Sequence, residues 1–426
     1  MSAINRFDQD FAEALADLAG PRTPDYIDDV IERAVSRRQR PAWTFPERWL
    51  PMGVLARRPA FMPALPWRTI GLLVVLALLL AALFAIGLGA LLQRTAPPYG
   101  VAENGLIAYS ADGDIYARDS STGAATLLVG GPEIDVGPWF SRDGSRLSFV
   151  RVTGQEPETI ALMAAEADGS NVRTVLAPEV VGDRHWIEWS PNGDLLVIQN
   201  SAEGVPPLSV VNVSGEPQRR AIDVPQEVHI VDWRPHSDEL IFIGREPEAR
   251  RNALGFYAAG IDGTGLRLLV RPPDSGTHHG PFSLSHDGRF LAYTSSTSGG
   301  HVSSHILDLD SGETRTLGGW FNQAWATFSP DGERLALVRY PGTGAAAQAF
   351  IGSSDGDGTD AVAIGPEVRN QPNTPGLRIQ FSPDGTKLLI VHAAGQEAWL
   401  ADVATGDYES VGLGEEEWVS WQRRAP

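Results

Sequence analysis

Residues 327–338 read TFSPDGERLALV and residues 380–391 read QFSPDGTKLLIV. Each stretch is an apolar or aromatic strand, a Ser-Pro-Asp-Gly turn and a second apolar strand. Weaker copies lie upstream: WFSRDGSRLSFV from Trp139, EWSPNGDLLVIQ from Glu188, DWRPHSDELIFI from Asp232 and SLSHDGRFLAYT from Ser283. The anchor positions Phe140, Trp189, Trp233, Leu284, Phe328 and Phe381 follow one another at intervals of 49, 44, 51, 44 and 53 residues. Four short strands and their turns fill such an interval, and this is one blade of a β-propeller.

The turn chemistry agrees. Ser first, Pro second and Gly fourth suit a type I turn, and Gly accepts the positive φ needed to re-enter a strand. A second turn in each repeat, from Ser121-Thr122-Gly123 to Thr405-Gly406, marks the hairpin between third and fourth strands. On these motifs the chain resembles the WD40-like repeats of the TolB-type β-propeller family, over roughly residues 104–422. The likeness is strongest at Phe328 and Phe381. It is weaker where Ser237 replaces Gly, His236 replaces Asp, and Arg142 and His286 replace Pro. Those departures are expected to soften two or three turns.

The ends set the blade count. NGLIAYSADGDIYARD from Asn104 matches strands two and three of a blade without its first strand, and EEWVSWQ (416–422) matches the missing strand. Closing the ring with strands from both ends removes the sheet edges. Strand-two segments at Leu106, Leu147, Leu195, Leu240, Leu291, Leu335 and Leu388 give seven blades, with six or eight left open by the irregular spacing. The expected fold is all-β: a seven-bladed propeller at 104–422, behind a linker at 93–103.

Ahead of it, residues 69–92 (TIGLLVVLALLLAALFAIGLGALL) carry no charge. At 1.5 Å per residue they reach about 36 Å, enough to span a bilayer core. Arg48, Arg57, Arg58 and Arg68 precede this transmembrane helix and only Arg94 closely follows it. The positive-inside rule places the N-terminus in the cytoplasm and the propeller outside, as a single-pass protein of the cell membrane. Residues 1–66 read as a cytoplasmic leader. It has an amphipathic helix at 5–18, a second opened by Thr23-Pro24, and a Pro/Arg/Trp-rich juxtamembrane linker. Its apolar faces make residues 1–40 a candidate surface for a cytoplasmic partner.

The formal net charge is −19, and residues 95–426 hold 23 Lys+Arg against 44 Asp+Glu. So acidic a surface repels nucleic acid. No cysteine is present, which excludes disulfides, thiol nucleophiles and Cys-ligated metal. The resemblance raises the prolyl-oligopeptidase-like peptidases, whose propellers precede an α/β-hydrolase domain. Gly352-Ser353-Ser354-Asp355-Gly356 matches G-x-S-x-G but falls in a blade hairpin, not a strand–turn–helix elbow. Asp355, Asp357 and Asp360 lack the bidentate Glu of a calcium loop. No residue set calls for a cofactor or metal.

The central funnel is the better candidate. Residues three to five before each anchor converge on the axis: Asp135, His185, His229, His279, Gln323, Arg378 and Glu417. They suit a small polar ligand or a loop of a protein partner. The expected function is a membrane-anchored, non-enzymatic binding module outside the cytoplasm, with a sensor or regulator role. The alternatives are a propeller hydrolase or peptidase relative using the funnel, and an envelope scaffold. The layout resembles single-pass anti-sigma factors and other envelope sensors, although the leader lacks the His/Cys zinc motif of many anti-sigma domains.

Overall fold

Alternation along the second strand of each blade decides the packing. In blade 4, Leu240 and Phe242 face blade 3 while Ile241 and Ile243 face blade 5, and all four are essentially fully buried. A strand buried on both faces needs apolar residues at every position, which is how Leu240-Ile241-Phe242-Ile243 reads. The same arithmetic repeats around the ring. Seven hydrophobic clusters fill seven blade–blade junctions, the last joining Leu389 and Val391 of blade 7 to Ile107 and Trp421 of blade 1.

The computed structural model describes residues 71–79, 95–155, 158–180, 185–224, 227–246, 254–272, 282–296, 302–321, 323–339, 346–369, 377–392, 397–413 and 418–426. Among them, 28 strands form seven four-stranded antiparallel sheets. The inner strands are Val419–Arg424, Ile134–Phe140, His185–Trp189, Glu227–Trp233, Ser283–Leu284, Gln323–Phe328 and Leu377–Phe381, for blades 1 to 7. Val419–Arg424 pairs antiparallel with Glu103–Ala111, so blade 1 is built from both ends of the propeller as its motifs imply. Gln422 locks the join: its Oε1 accepts the Leu106 N–H at 3.2 Å and its Nε2 donates to Gly144 O at 2.8 Å.

Each turn after an inner strand is held the same way. Ser141 O accepts the Gly144 N–H at 2.8 Å, and Ser141 Oγ accepts the Arg146 N–H at 2.9 Å while donating to Asp143 at 2.6 Å. Gly144 sits at φ +71°, and a Cβ there would lie 1.8 Å from Arg423 O. Arg142 and His286 leave their turns tight; the Gly288 N–H still reaches Ser285 O at 2.9 Å. Only the turn of blade 4 is looser. Its Ser237 N–H reaches Arg234 O at 3.3 Å, and the positive φ falls one residue earlier, at His236 with 59°.

Contacts divide the chain into residues 1–88 and 89–426. In the first unit residues 71–79 are helical; the leader and the rest of 69–92 lie outside the described residues. Among the described residues no helix is long and apolar enough to cross a membrane.

Candidate functional site

Inner strands of neighbouring blades touch side by side around the axis, for example those of blades 1 and 2, 3 and 4, and 6 and 7. The six inner strands of blades 2 to 7 enter their turns at one end, and the inner strand of blade 1 finishes at that same end, where Gln422 bonds Gly144 O in the turn of blade 2. Their beginnings therefore gather at one mouth of the channel, the start mouth, and their turns at the other, the turn mouth. Bulges in the inner strands of blades 2, 4 and 6 shift the register and re-aim side chains near the start mouth.

At the start mouth, Asp135 is buried and gripped by Arg151 through two bonds of 2.7 and 2.8 Å, so its charge is spent within blade 2. His229 Nε2 lies 3.7 Å from Glu227, which also pairs with Arg245. The Arg378 guanidinium stacks 3.8 Å from the Trp418 ring centroid, and Trp418 meets Trp186 edge-on at 5.6 Å. These three residues belong to blades 7, 1 and 3, so the aromatic pair reaches past blade 2. The backbones of His185 and Gln323 begin their inner strands here. Their side chains, and the whole of His279 and Glu417, lie outside the described residues. The structure thus brings Arg378 and two unanticipated tryptophans together and turns Asp135 inward to Arg151.

The turn mouth holds a cluster that reading along the strands missed. Arg142, from the turn of blade 2, bonds Asp232 of blade 4, lies 3.6 Å from Glu188 of blade 3, and donates from Nε to Trp189 O at 3.2 Å. Glu188 and Asp232 each directly precede an anchor tryptophan. At the matching position Ser420 and Ser283 simply accept the backbone N–H of the next blade's anchor, at 2.9 and 3.2 Å. Two carboxylates face one guanidinium, so one negative charge is left without a partner. Burial first, then the Asp232 charge, pushes the Glu188 carboxyl up to about 8 against the pull of Arg142. Burial likewise raises Asp232. The two carboxyl groups together therefore hold a proton more readily than free carboxyls do.

This gives a pH prediction. A carboxyl with a raised folded-state pKa binds a proton that the unfolded chain has released, so stability falls as pH rises from about 4.5 to about 8. The glutamine variant Glu188→Gln should flatten that slope and be more stable than wild type at pH 9. Chemical denaturation at pH 5, 7 and 9 checks it; an unchanged slope would refute the assignment. Asp232, Arg142, Tyr99 and Arg423 are the other charged or titratable groups of the cluster.

Residues 95–102 cross the same mouth. Ala96 N–H donates to Asp143 O at 3.2 Å and Ala102 N–H to Pro383 O at 2.9 Å. Arg423 donates to Pro97 O at 3.1 Å and Gly100 O at 2.5 Å. The Tyr99 ring lies 5.1 Å from the Arg142 guanidinium and 5.5 Å from the His236 ring, with its hydroxyl buried. His236 Nε2 in turn sits 3.0 Å from His286 O. Two departures from the turn pattern, Arg142 and His236, thus lie against one tyrosine, and the third, His286, meets His236 through its backbone carbonyl. That coincidence was the signal available in the sequence.

Groups of catalytic type are engaged elsewhere. Ser353 donates to Asp355 within a strand–turn–strand hairpin, Asp357 accepts from Thr359, and Asp360 accepts the Ser353 N–H. Ser295 Oγ lies 2.8 Å from His305 Nε2, whose Nδ1 lies 3.0 Å from Thr316. Both Ser295 and His305 are buried, burial lowers the imidazole's basicity, and its second partner is neutral. That is a satisfied polar line through blade 5. Among the described residues no group of three or more His, Asp or Glu is placed to hold a metal ion.

The chain matches no family model and no curated protein sequence. It is similar in structure to solved propellers. A protein from Lactobacillus plantarum is 16% identical, with 75% of this chain and 99% of that chain covered and a TM-score of 0.52. The periplasmic gluconolactonase of Pseudomonas aeruginosa is also 16% identical, covering 76% and 99%, with a TM-score of 0.51. TolB from Acinetobacter baumannii is 17% identical, covering 74% and 81%, with a TM-score of 0.47. At such identities the likeness establishes the fold, a fold that carries enzymes and non-enzymes alike.

Proposed function

We propose that this seven-bladed propeller is a non-enzymatic binding module, anchored by a single membrane span and presented outside the cytoplasm. It takes a small polar ligand or a loop of a partner protein at the start mouth. The observation that carries this reading is the Arg378–Trp418–Trp186 stack. Stacked tryptophan and guanidinium groups offer flat apolar area beside fixed charge, the composition of binding hot spots. The opposite mouth is filled by the chain's own residues 95–102, which leaves the start mouth for an external partner. Support for the span comes from the charge-free run 69–92. Within it Leu72, Leu73, Val74, Val75, Leu76, Leu78 and Leu79 are each at least half exposed, as lipid-facing side chains would be. A sensor role would pass through residues 1–40 to a cytoplasmic partner.

The test uses the full-length chain in native membranes. Ligands and proteins co-purifying with wild type are compared with those of Trp418→Ala, Arg378→Ala and the outer-surface control Tyr408→Ser. Retention should fall by roughly tenfold or more for the first two and stay unchanged for the control. Equal retention by all four would remove the start mouth as the site. Protease added to intact spheroplasts should digest the propeller; its protection would reverse the proposed topology.

A further inference from the structure

We propose that the turn mouth is itself a binding site for a bent tyrosine segment led by two prolines, and that residues 97–100 (Pro-Pro-Tyr-Gly) occupy it as a tethered, releasable latch. The mouth is built for this occupant beyond what ring closure needs. The turns of blades 3, 6 and 7 do the structural work with plain Ser-Pro-Asn-Gly or Ser-Pro-Asp-Gly sequences. Blades 2, 4 and 5 replace those residues with Arg142, His236 and His286, and the first two of these side chains lie against the Tyr99 ring. Arg142 is held in place by Asp232 and Glu188, so the guanidinium beside the ring is fixed before the segment arrives. Arg423, two residues past the anchor Trp421 in the inner strand of blade 1, reads the backbone on both sides of the tyrosine by bonding the carbonyls of Pro97 and Gly100. Pro97 and Pro98 fix two φ angles and lower the ordering cost of docking, while Gly100 supplies the positive φ of +79° in the bend at 98–100.

The recognition is of an aromatic ring on a bent backbone rather than of a phenol. The Tyr99 hydroxyl is buried with no hydrogen-bond partner among the described residues. A phenylalanine should therefore serve as well. The hold is also modest, resting on one ring and four hydrogen bonds from seven residues. What keeps the site filled is the tether, since a segment joined to its own site acts at an effective concentration on the order of millimolar. A free peptide competes only when the tethered ring is removed.

The experiment uses the full chain in detergent, as wild type, Tyr99→Phe and Tyr99→Ala. Hydrogen exchange is read at the amides of Ala96 and Ala102, which bond across the mouth. A labelled, end-capped peptide of residues 95–102 (TAPPYGVA) is titrated by fluorescence anisotropy. Both amides should be protected in wild type and Tyr99→Phe and lose protection in Tyr99→Ala. The peptide should bind Tyr99→Ala at least tenfold more tightly than wild type or Tyr99→Phe, and a peptide with alanine for tyrosine should bind none of them. Retained protection in Tyr99→Ala would remove the latch. Lost protection without peptide binding would remove the site's selectivity for the segment. Failure of Tyr99→Ala to fold would make the segment a fixed part of the propeller and overturn the proposal.

Discussion

Replacing Trp189 by alanine is expected to lower the stability of the propeller by about 4 kcal/mol, the range for a large aromatic cut out of a packed core. The side chain is fully buried between blades 2 and 3, against Leu162, Ala164, Val175, Leu196 and Val211. Its indole N–H also donates to Trp139 O at 3.0 Å, stitching two inner strands together. Neighbouring aliphatic residues are fixed by their own blades, so the void closes poorly. Trp189→Phe should recover most of the loss and leave about 1 kcal/mol for the missing hydrogen bond. Urea titration by circular dichroism reads both variants. A loss below about 1 kcal/mol for the alanine variant would mean that this junction carries little of the stability.

Arg142→Ala should produce the second large effect, with a pH signature. Removing the cation leaves buried Glu188 and half-buried Asp232 without their counter-charge, a change that costs up to about 3–5 kcal/mol. Both carboxyl groups are already raised by burial, so lowering the pH protonates them and relieves the cost. The variant should be far weaker than wild type at pH 9 and much closer to it at pH 5. The triple change Arg142→Met, Glu188→Gln, Asp232→Asn removes all three charges and should regain most of the stability at pH 9. If Arg142→Ala were equally destabilised at both pH values, lost packing would be the cause, and the charge cluster would be energetically idle.

The fold was legible because every blade states it separately. A strand–turn–strand copy needs only local information, and closure could be read from Trp421 at one end completing the strands that begin at Asn104 at the other. The site was harder for a physical reason. Arg142, Glu188 and Asp232 stand in three different blades and meet only because the ring bends them together. Nothing local in WFSRDG announces that its arginine will find two acids. Counting back from the anchors located the start mouth and placed Asp135 and Arg378 there. It could not show that Arg151 consumes the first, or that Trp418 and Trp186 accompany the second. The bulge at Val136/Trp139, just after Asp135, is one reason, because a break in register changes which side chain faces the axis. The pattern departures at His236 and His286 read as weakened turns, since the tyrosine that His236 meets lies outside the repeat.

Blade 1 waits for the last strand in the chain. Leu106 and Gln422 are 316 residues apart, yet a hydrogen bond joins them. During synthesis the strand Glu103–Ala111 therefore leaves the ribosome with one edge unpaired and keeps it so until Val419–Arg424 emerges. At about 5–20 residues per second that interval is on the order of 15–60 seconds. Throughout it, the nascent chain presents an open edge suited to pairing with another strand. Contacts this distant also make ring closure slow once the chain is complete. The vulnerable stage in the life of this protein is thus its birth, and truncation within the final six strand residues should leave a chain that chaperones hold and proteases clear.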